Sequence, residues 1–148
     1  MNASILDFIK EQKVATVCCL DEKGFPYSFN CFYAFNSSEG LLYFKSSPSS
    51  DHSKFLTQRP HVAGTILPGK LNYLALRGIQ YTGVVLPSED ALCQNASADY
   101  HKKFPFALAK SGELYTILLE SIKMTDNTKG FGTKILWERG ELALNHSN

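Results

Sequence analysis

The chain has 148 residues, the length of one ordinary domain, and its 44% of hydrophobic residues can build a core without metal or disulfide staples. Charged residues make up 20% and the formal net charge is +1, so composition predicts no general attraction to nucleic acid or to a membrane surface. No apolar stretch is long enough to span a bilayer. Asp7, Lys10 and Glu11 near the N-terminus argue against a signal peptide, and a cytoplasmic location is expected.

Ser4 to Gln12 reads as a short amphipathic helix, with Ile5, Phe8 and Ile9 on one side and Ser4 as the candidate N-cap. Val14 to Leu20 is an almost continuously apolar strand, and Asp21-Glu22-Lys23-Gly24 makes a hairpin turn. Pro26 to Phe35 is the clearest strand. Tyr27, Phe29, Cys31, Tyr33 and Phe35 alternate onto one face, and Ser28, Asn30, Phe32 and Ala34 onto the other. That second face suits either ordinary packing or the lining of a ligand site.

After the turn Asn36 to Gly40 comes the strand Leu41 to Lys45, and then Ser46-Ser47-Pro48-Ser49-Ser50 ahead of a helix from Asp51 to Gln58. His61 to Leu67 and Leu74 to Leu86 read as strands. A helix begins at Pro87-Ser88-Glu89-Asp90 and runs to about Lys103, where Phe104-Pro105-Phe106 breaks it. Glu113 to Thr125 is a long strand, Asp126 to Gly132 a loop and Thr133 to Glu138 a last strand, followed by a frayed tail. Strand-turn-strand order dominates. The fold class predicted is mainly β (α+β), a small antiparallel barrel with flanking helices, with residues 1–148 forming one domain.

Cys18, Cys19, Cys31 and Cys93 show no C-x-x-C spacing, and three lie in strand-like runs. They read as reduced, buried thiols, and no metal site is expected. His61, His101 and His146 lack metal-ligand spacing. There is no G-x-S-x-G turn, P-loop or G-x-G-x-x-G. The segment Lys45 to Lys54 is the best candidate for chemistry. Exposed N–H groups at a helix start attract anions, and hydroxyls with nearby Lys or His complete such a site, although simple N-capping explains the serines equally well. Trp137 is the only tryptophan, and it serves either as core or interface, or to stack on a planar ligand.

Two segments carry a resemblance to a known family. They are Leu76-Arg77-Gly78-Ile79-Gln80-Tyr81-Thr82-Gly83 and the run from Lys123 to Trp137 that contains Thr125-Asp126-Asn127-Thr128-Lys129-Gly130-Phe131-Gly132. Val62-Ala63-Gly64-Thr65 and Phe104-Pro105 also match. With the order of elements, the chain resembles the pyridoxamine-phosphate-oxidase-like FMN-binding split barrels, and more narrowly the uncharacterised bacterial family called YhbP-like. The resemblance implies a six-stranded antiparallel split barrel, a homodimer and a small-molecule ligand at the dimer interface. It implies FMN as cofactor, with Lys45, Ser46, Ser47, Ser50, His52 and Lys54 at the phosphate and Asn30, Phe32 and Trp137 at the ring. Flavin-binding relatives carry Ser/Thr-Arg-Lys at the second helix, where this chain has Ser50-Asp51-His52. A flavin oxidoreductase is one functional expectation. A non-catalytic module holding another cofactor such as haem, or none, is the other. No residue stands out as catalytic.

Overall fold

A computed structural model describes residues 1–140. The expected frayed tail falls mostly outside them, as does His146.

The elements in chain order are α1 (Ala3–Glu11), β1 (Val14–Leu20), β2 (Pro26–Asn36), β3 (Leu41–Ser46), α2 (Asp51–Gln58), β4 (His61–Ile66), β5 (Arg77–Val85), α3 (Ala96–Lys103), β6 (Glu113–Asp126) and β7 (Lys134–Glu138). The strands form one antiparallel sheet in the order β3-β2-β1-β4-β5-β6-β7, and β3 also pairs with β6. That pairing, from Leu41 opposite Leu118 to Ser46 opposite Glu113, closes a six-stranded barrel. The barrel agrees with the split-barrel expectation. β6 is long enough to serve two partners on one edge, β3 along its first half and β7 along its second.

The barrel interior is filled by the inward positions of each strand, including Val17, Tyr33, Phe44, Ile79, Tyr81, Leu119 and Met124. α1 plugs one end with Ile5, Phe8 and Ile9, all fully buried, each worth roughly 1.5–3 kcal/mol. Tyr33 fastens this plug by donating to the Ile9 carbonyl at 2.6 Å. The N-cap of α1 is Asn2, whose side chain accepts from Ser4 N, so Ser4 is not the cap but the residue being capped.

α3 lies outside the barrel on β2 and β3. A second apolar cluster of Ala34, Leu41 and Tyr43 with Ala96, Tyr100, Phe104 and Ala107 forms there. This explains why Ala34 is buried although it faces away from Tyr33, and why Leu41 to Phe44 are buried on both faces.

Two predicted boundaries move. The strand expected from Leu74 begins at Arg77, and Tyr73 and Leu74 stand 91% and 94% exposed in the preceding loop. The helix expected from Pro87 splits into a 3-10 turn at Ala91–Cys93, capped by Asp90, and α3.

Candidate functional site

Ser50 is the N-cap of α2, accepting from Ser53 N. Its hydroxyl lies 2.8 Å from the Ser47 carbonyl and 2.7 Å from Ser53 Oγ, either of which can take its single proton, and Ser53 Oγ lies 2.8 Å from the same carbonyl. Ser46 Oγ lies 2.6 Å from His52 Nε2 and 3.4 Å from Ser50 Oγ. The His52 imidazole is stacked on Phe29, which packs on Phe44 in the barrel. Ser47 Oγ meets Ser49 Oγ at 2.8 Å. Ser46, Ser47, Ser50 and His52 are thus brought together, in a network whose members satisfy one another. Burial holds the His52 pKa below the ordinary histidine value, against the opposite pull of Asp51, so the ring is neutral at pH 7.

Lys45 does not join them. Strand alternation turns it to the α3 side, where its ammonium donates to the Ala107 carbonyl at 2.9 Å and the Lys110 carbonyl at 2.7 Å and lies 3.2 Å from His101 Nε2. There it staples β3 to the segment that follows α3. Lys54 is exposed and lines a separate cleft of about 610 Å³ with Pro48, Thr57, Leu86 and Tyr115, in which His52 takes no part.

The expected ring contacts lie on or beside the outer face of the sheet. Strand register builds two rows across it. One runs Ser28, Cys18, Ala63, Thr82, Ser121 and Glu138, and the next runs Asn30, Thr16, Thr65, Gln80, Lys123 and Leu136. From β2 through β5 neither row carries a charge. Thr16 Oγ1 donates to Asn30 Oδ1 at 2.7 Å, and the Thr82 and Ser121 hydroxyls lie 2.6 Å apart. Thr16, Thr65, Gln80, Thr82, Ser121 and Lys123 line a shallow groove of about 580 Å³, and Asn30 lies on the same face outside its lining. Trp137 borders the groove at β7, but it pairs with Ile122 and so lies on the core side of the strand, half-buried, with the Arg139 guanidinium 5.5 Å from its ring. Phe32 lies further along and packs on Phe104 and Phe106.

An apolar border flanks the rows. Val14, Phe32 and Leu67 are 44%, 47% and 56% exposed. The sequence drew attention to Asn30 and Phe32 but missed Thr16, Thr65, Gln80, Thr82 and Ser121. The signal was present in the alternation of four strands taken together, since hydroxyl and amide residues recur at their outward positions.

All four cysteines are free, but of the thiols expected to be buried only Cys19 is fully so, and Cys18, Cys31 and Cys93 are half-buried. Burial pushes the Cys31 thiol up to about 12 and raises Cys19 as well.

The donor set at α2 does not suit a phosphate dianion. Such a group would meet the Asp51 carboxylate, a neutral imidazole and hydroxyls already paired, while Lys45 is tied down elsewhere. The outer face, uncharged from β2 through β5, suits a planar ring better.

No family model matches the chain. It is 36% identical over 133 residues to a UPF0306 protein of Photorhabdus laumondii, covering 89% of this chain and 92% of that one. It is 34% identical over 137 residues to a UPF0306 protein of Serratia proteamaculans, covering 91% and 93%. Among solved structures, a heme binding protein from Mycobacterium smegmatis superposes with TM-score 0.74 at 16% identity, over 88% of this chain and 55% of that one. A FAD-binding protein from Mesorhizobium loti gives 0.63 at 16%, over 84% and 94%. The heme storage protein HutZ of Vibrio cholerae gives 0.62 at 16%, over 93% of each. At these identities the structures share the fold alone, whereas the similarity to the bacterial relatives spans nearly the whole of both sequences: the chain belongs to the UPF0306 family.

Proposed function

We propose that this chain is a flavin-binding split-barrel protein that works as a cytoplasmic homodimer, the ring lying between the outer sheet face of one copy and its partner. The narrower YhbP-like kinship belongs to the same reading. The observation that carries it is the outer face, uncharged from β2 through β5, with its apolar border. Four neighbouring strands whose outward rows carry no charge, in a chain with 20% charged residues, are suited to being covered. Asn30 would contact the ring, Phe32 would extend the interface, and Trp137 would back the β7 end of the groove from the core side. FMN is the flavin expected from the family resemblance, and its ring is accommodated better than its phosphate. A bound flavin supplies electron or hydride transfer, which makes an oxidoreductase the corresponding enzyme class. This chain's own part is to bind and orient.

Haem is the second reading. It is favoured by the two haem-related proteins among the structural likenesses and by His61, exposed on β4 two residues before Ala63. A single experiment separates the two. Purified protein is mixed with flavin or with hemin, excess is removed, and the visible spectrum is recorded. A retained flavin band supports the first reading. A retained Soret band, lost in His61→Ala, supports the second. A colourless protein in both mixtures sinks both.

A further inference from the structure

Two hydrogen-bonded turns at one end of the barrel carry bulky apolar side chains at their tips. In the β4–β5 loop, Ala75 N donates to the Asn72 carbonyl at 3.2 Å and Leu74 N to Asn72 Oδ1 at 3.1 Å, so Tyr73 and Leu74 are the central residues of a turn. In the β6–β7 loop, Thr133 N donates to the Gly130 carbonyl at 3.2 Å, with Phe131 at the first central position and Gly132, at φ 77°, at the second. Phe131, like Tyr73 and Leu74, stands almost wholly in solvent. The two loops meet: Asn127 N donates to the Leu76 carbonyl at 3.0 Å, and Arg77 pairs with Asp126. Turn centres ordinarily take Gly, Pro, Asn, Asp or Ser, and three large apolar side chains held in water by ordered turns add nothing to the core.

The charge around these tips has one sign. Residues 67–76 and 127–134 contain Lys70, Lys129 and Lys134 and no carboxylate. Asp126, beside the second loop, is buried and accepts from Thr128 N, and Glu11 on α1 lies 3.6 Å from Arg77. Also on α1, whose Ser4 hydroxyl accepts from Lys129, Asp7 is offset by Lys10. The near-balanced charge of the whole chain therefore hides a locally basic end.

We infer that this end docks on an anionic phospholipid bilayer, with Tyr73, Leu74 and Phe131 entering the headgroup boundary and Lys70, Lys129 and Lys134 meeting lipid phosphates. Aromatic and aliphatic tips backed by lysines are what a membrane interface takes up: the rings and the leucine partition into the boundary while the ammonium groups stay at headgroup level. A second copy of this chain is a poorer occupant, because a two-fold contact through this end sets the lysines of one copy against the same lysines of the other. The contact is peripheral, since no helix among the described residues is long and apolar enough to cross a membrane. The inference is independent of whether the outer face takes a flavin or a haem.

The test is co-sedimentation of the full chain with vesicles of phosphatidylcholine alone and with vesicles of equal parts phosphatidylcholine and phosphatidylglycerol. Native protein is expected to bind the anionic vesicles, to leave the neutral ones in large part unbound, and to bind less as salt is added. Lys70→Gln should weaken binding about fivefold. Tyr73→Ser, Leu74→Ser and Phe131→Ser together should weaken it roughly tenfold or more while the melting temperature stays at the native value, because all three side chains are exposed. Failure of the native chain to bind anionic vesicles overturns the inference. Binding that the triple variant retains in full also overturns it, since that is adsorption through the lysines alone. A native dimer that the triple variant converts to monomer in sedimentation velocity overturns it as well, and gives the tips to a second copy.

Discussion

The imidazole of His52 lies flat on the ring of Phe29, with centroids 3.9 Å apart and planes 12° from parallel. That stack half-buries a helix-start histidine, and burial holds its pKa below the ordinary value against the pull of Asp51. Since the folded-state pKa is depressed below the unfolded value of about 6.5, the unfolded chain binds the proton more readily. The contribution of His52 to stability is therefore fully present above pH 6.5 and declines as pH falls through the folded pKa. The expected results are a His52 titration below the ordinary value by NMR, a return toward it in Phe29→Ala, and a shallower loss of melting temperature below pH 6.5 in His52→Gln. A His52 that titrates normally in the native chain would remove this account.

Lys45→Met should cost about 2 kcal/mol of stability, because the Ala107 and Lys110 carbonyls lose a charged donor. Urea unfolding measures this. Ligand affinity should not change, since Lys45 faces α3. A large loss of flavin affinity with normal stability would return Lys45 to the binding site.

A Cβ at Gly64 would stand 2.2 Å from the Thr16 carbonyl oxygen and 2.3 Å from the Tyr81 hydroxyl. Tyr81 donates to that same carbonyl at 3.0 Å. Gly64→Ala must push β4 off β1 or expel the tyrosine from the core, and should cost about 3 kcal/mol or more. Thermal unfolding reads it directly, and a loss under 1 kcal/mol would mean that the strands yield more easily than this packing implies.

Thr65→Arg sets an unpaired charge in the middle of the uncharged outer face. Sedimentation velocity at micromolar concentration is expected to give a dimer for the native chain and a monomer for the variant, with the fold unchanged by circular dichroism. A native monomer would strike out the proposed interface.

Much of the barrel was legible because its signals are local. Asp51 to Gln58 is bounded by a serine cap and Pro60, and the helix has those limits. Alternation placed Phe29, Cys31 and Tyr33 inward on β2. The misses come from competition between local pattern and tertiary setting. Leu74 and Leu76 look like the start of a strand, yet the chain there is a loop with Leu74 in solvent. Pro87 and two carboxylates imitate a helix start, but Asp90 spends its side chain on a single turn. For the candidate site, the grouping of Ser46, Ser50 and His52 follows from closeness in sequence. Lys45 stands apart from that group, because alternation turns it to the face opposite its neighbour Ser46. The two rows across the outer face depend on register among strands distant in sequence, which no single segment reveals.

Where β3 stops pairing with β6 at Leu118 and β7 begins at Ser121, the edge of β6 has a gap. Arg139 spans it: its backbone N–H donates to the Glu120 carbonyl, its Nε to the Leu119 carbonyl, and its Nη2 to the Glu39 and Gly40 carbonyls. The last two contacts join residues 100 and 99 positions apart. Loops of that length close late, after the local hairpins have formed. The seam therefore belongs to the final stage of folding and the first stage of opening. Removing the guanidinium should speed unfolding while leaving the folding rate nearly untouched, which makes Arg139 a determinant of the barrel's lifetime more than of its assembly.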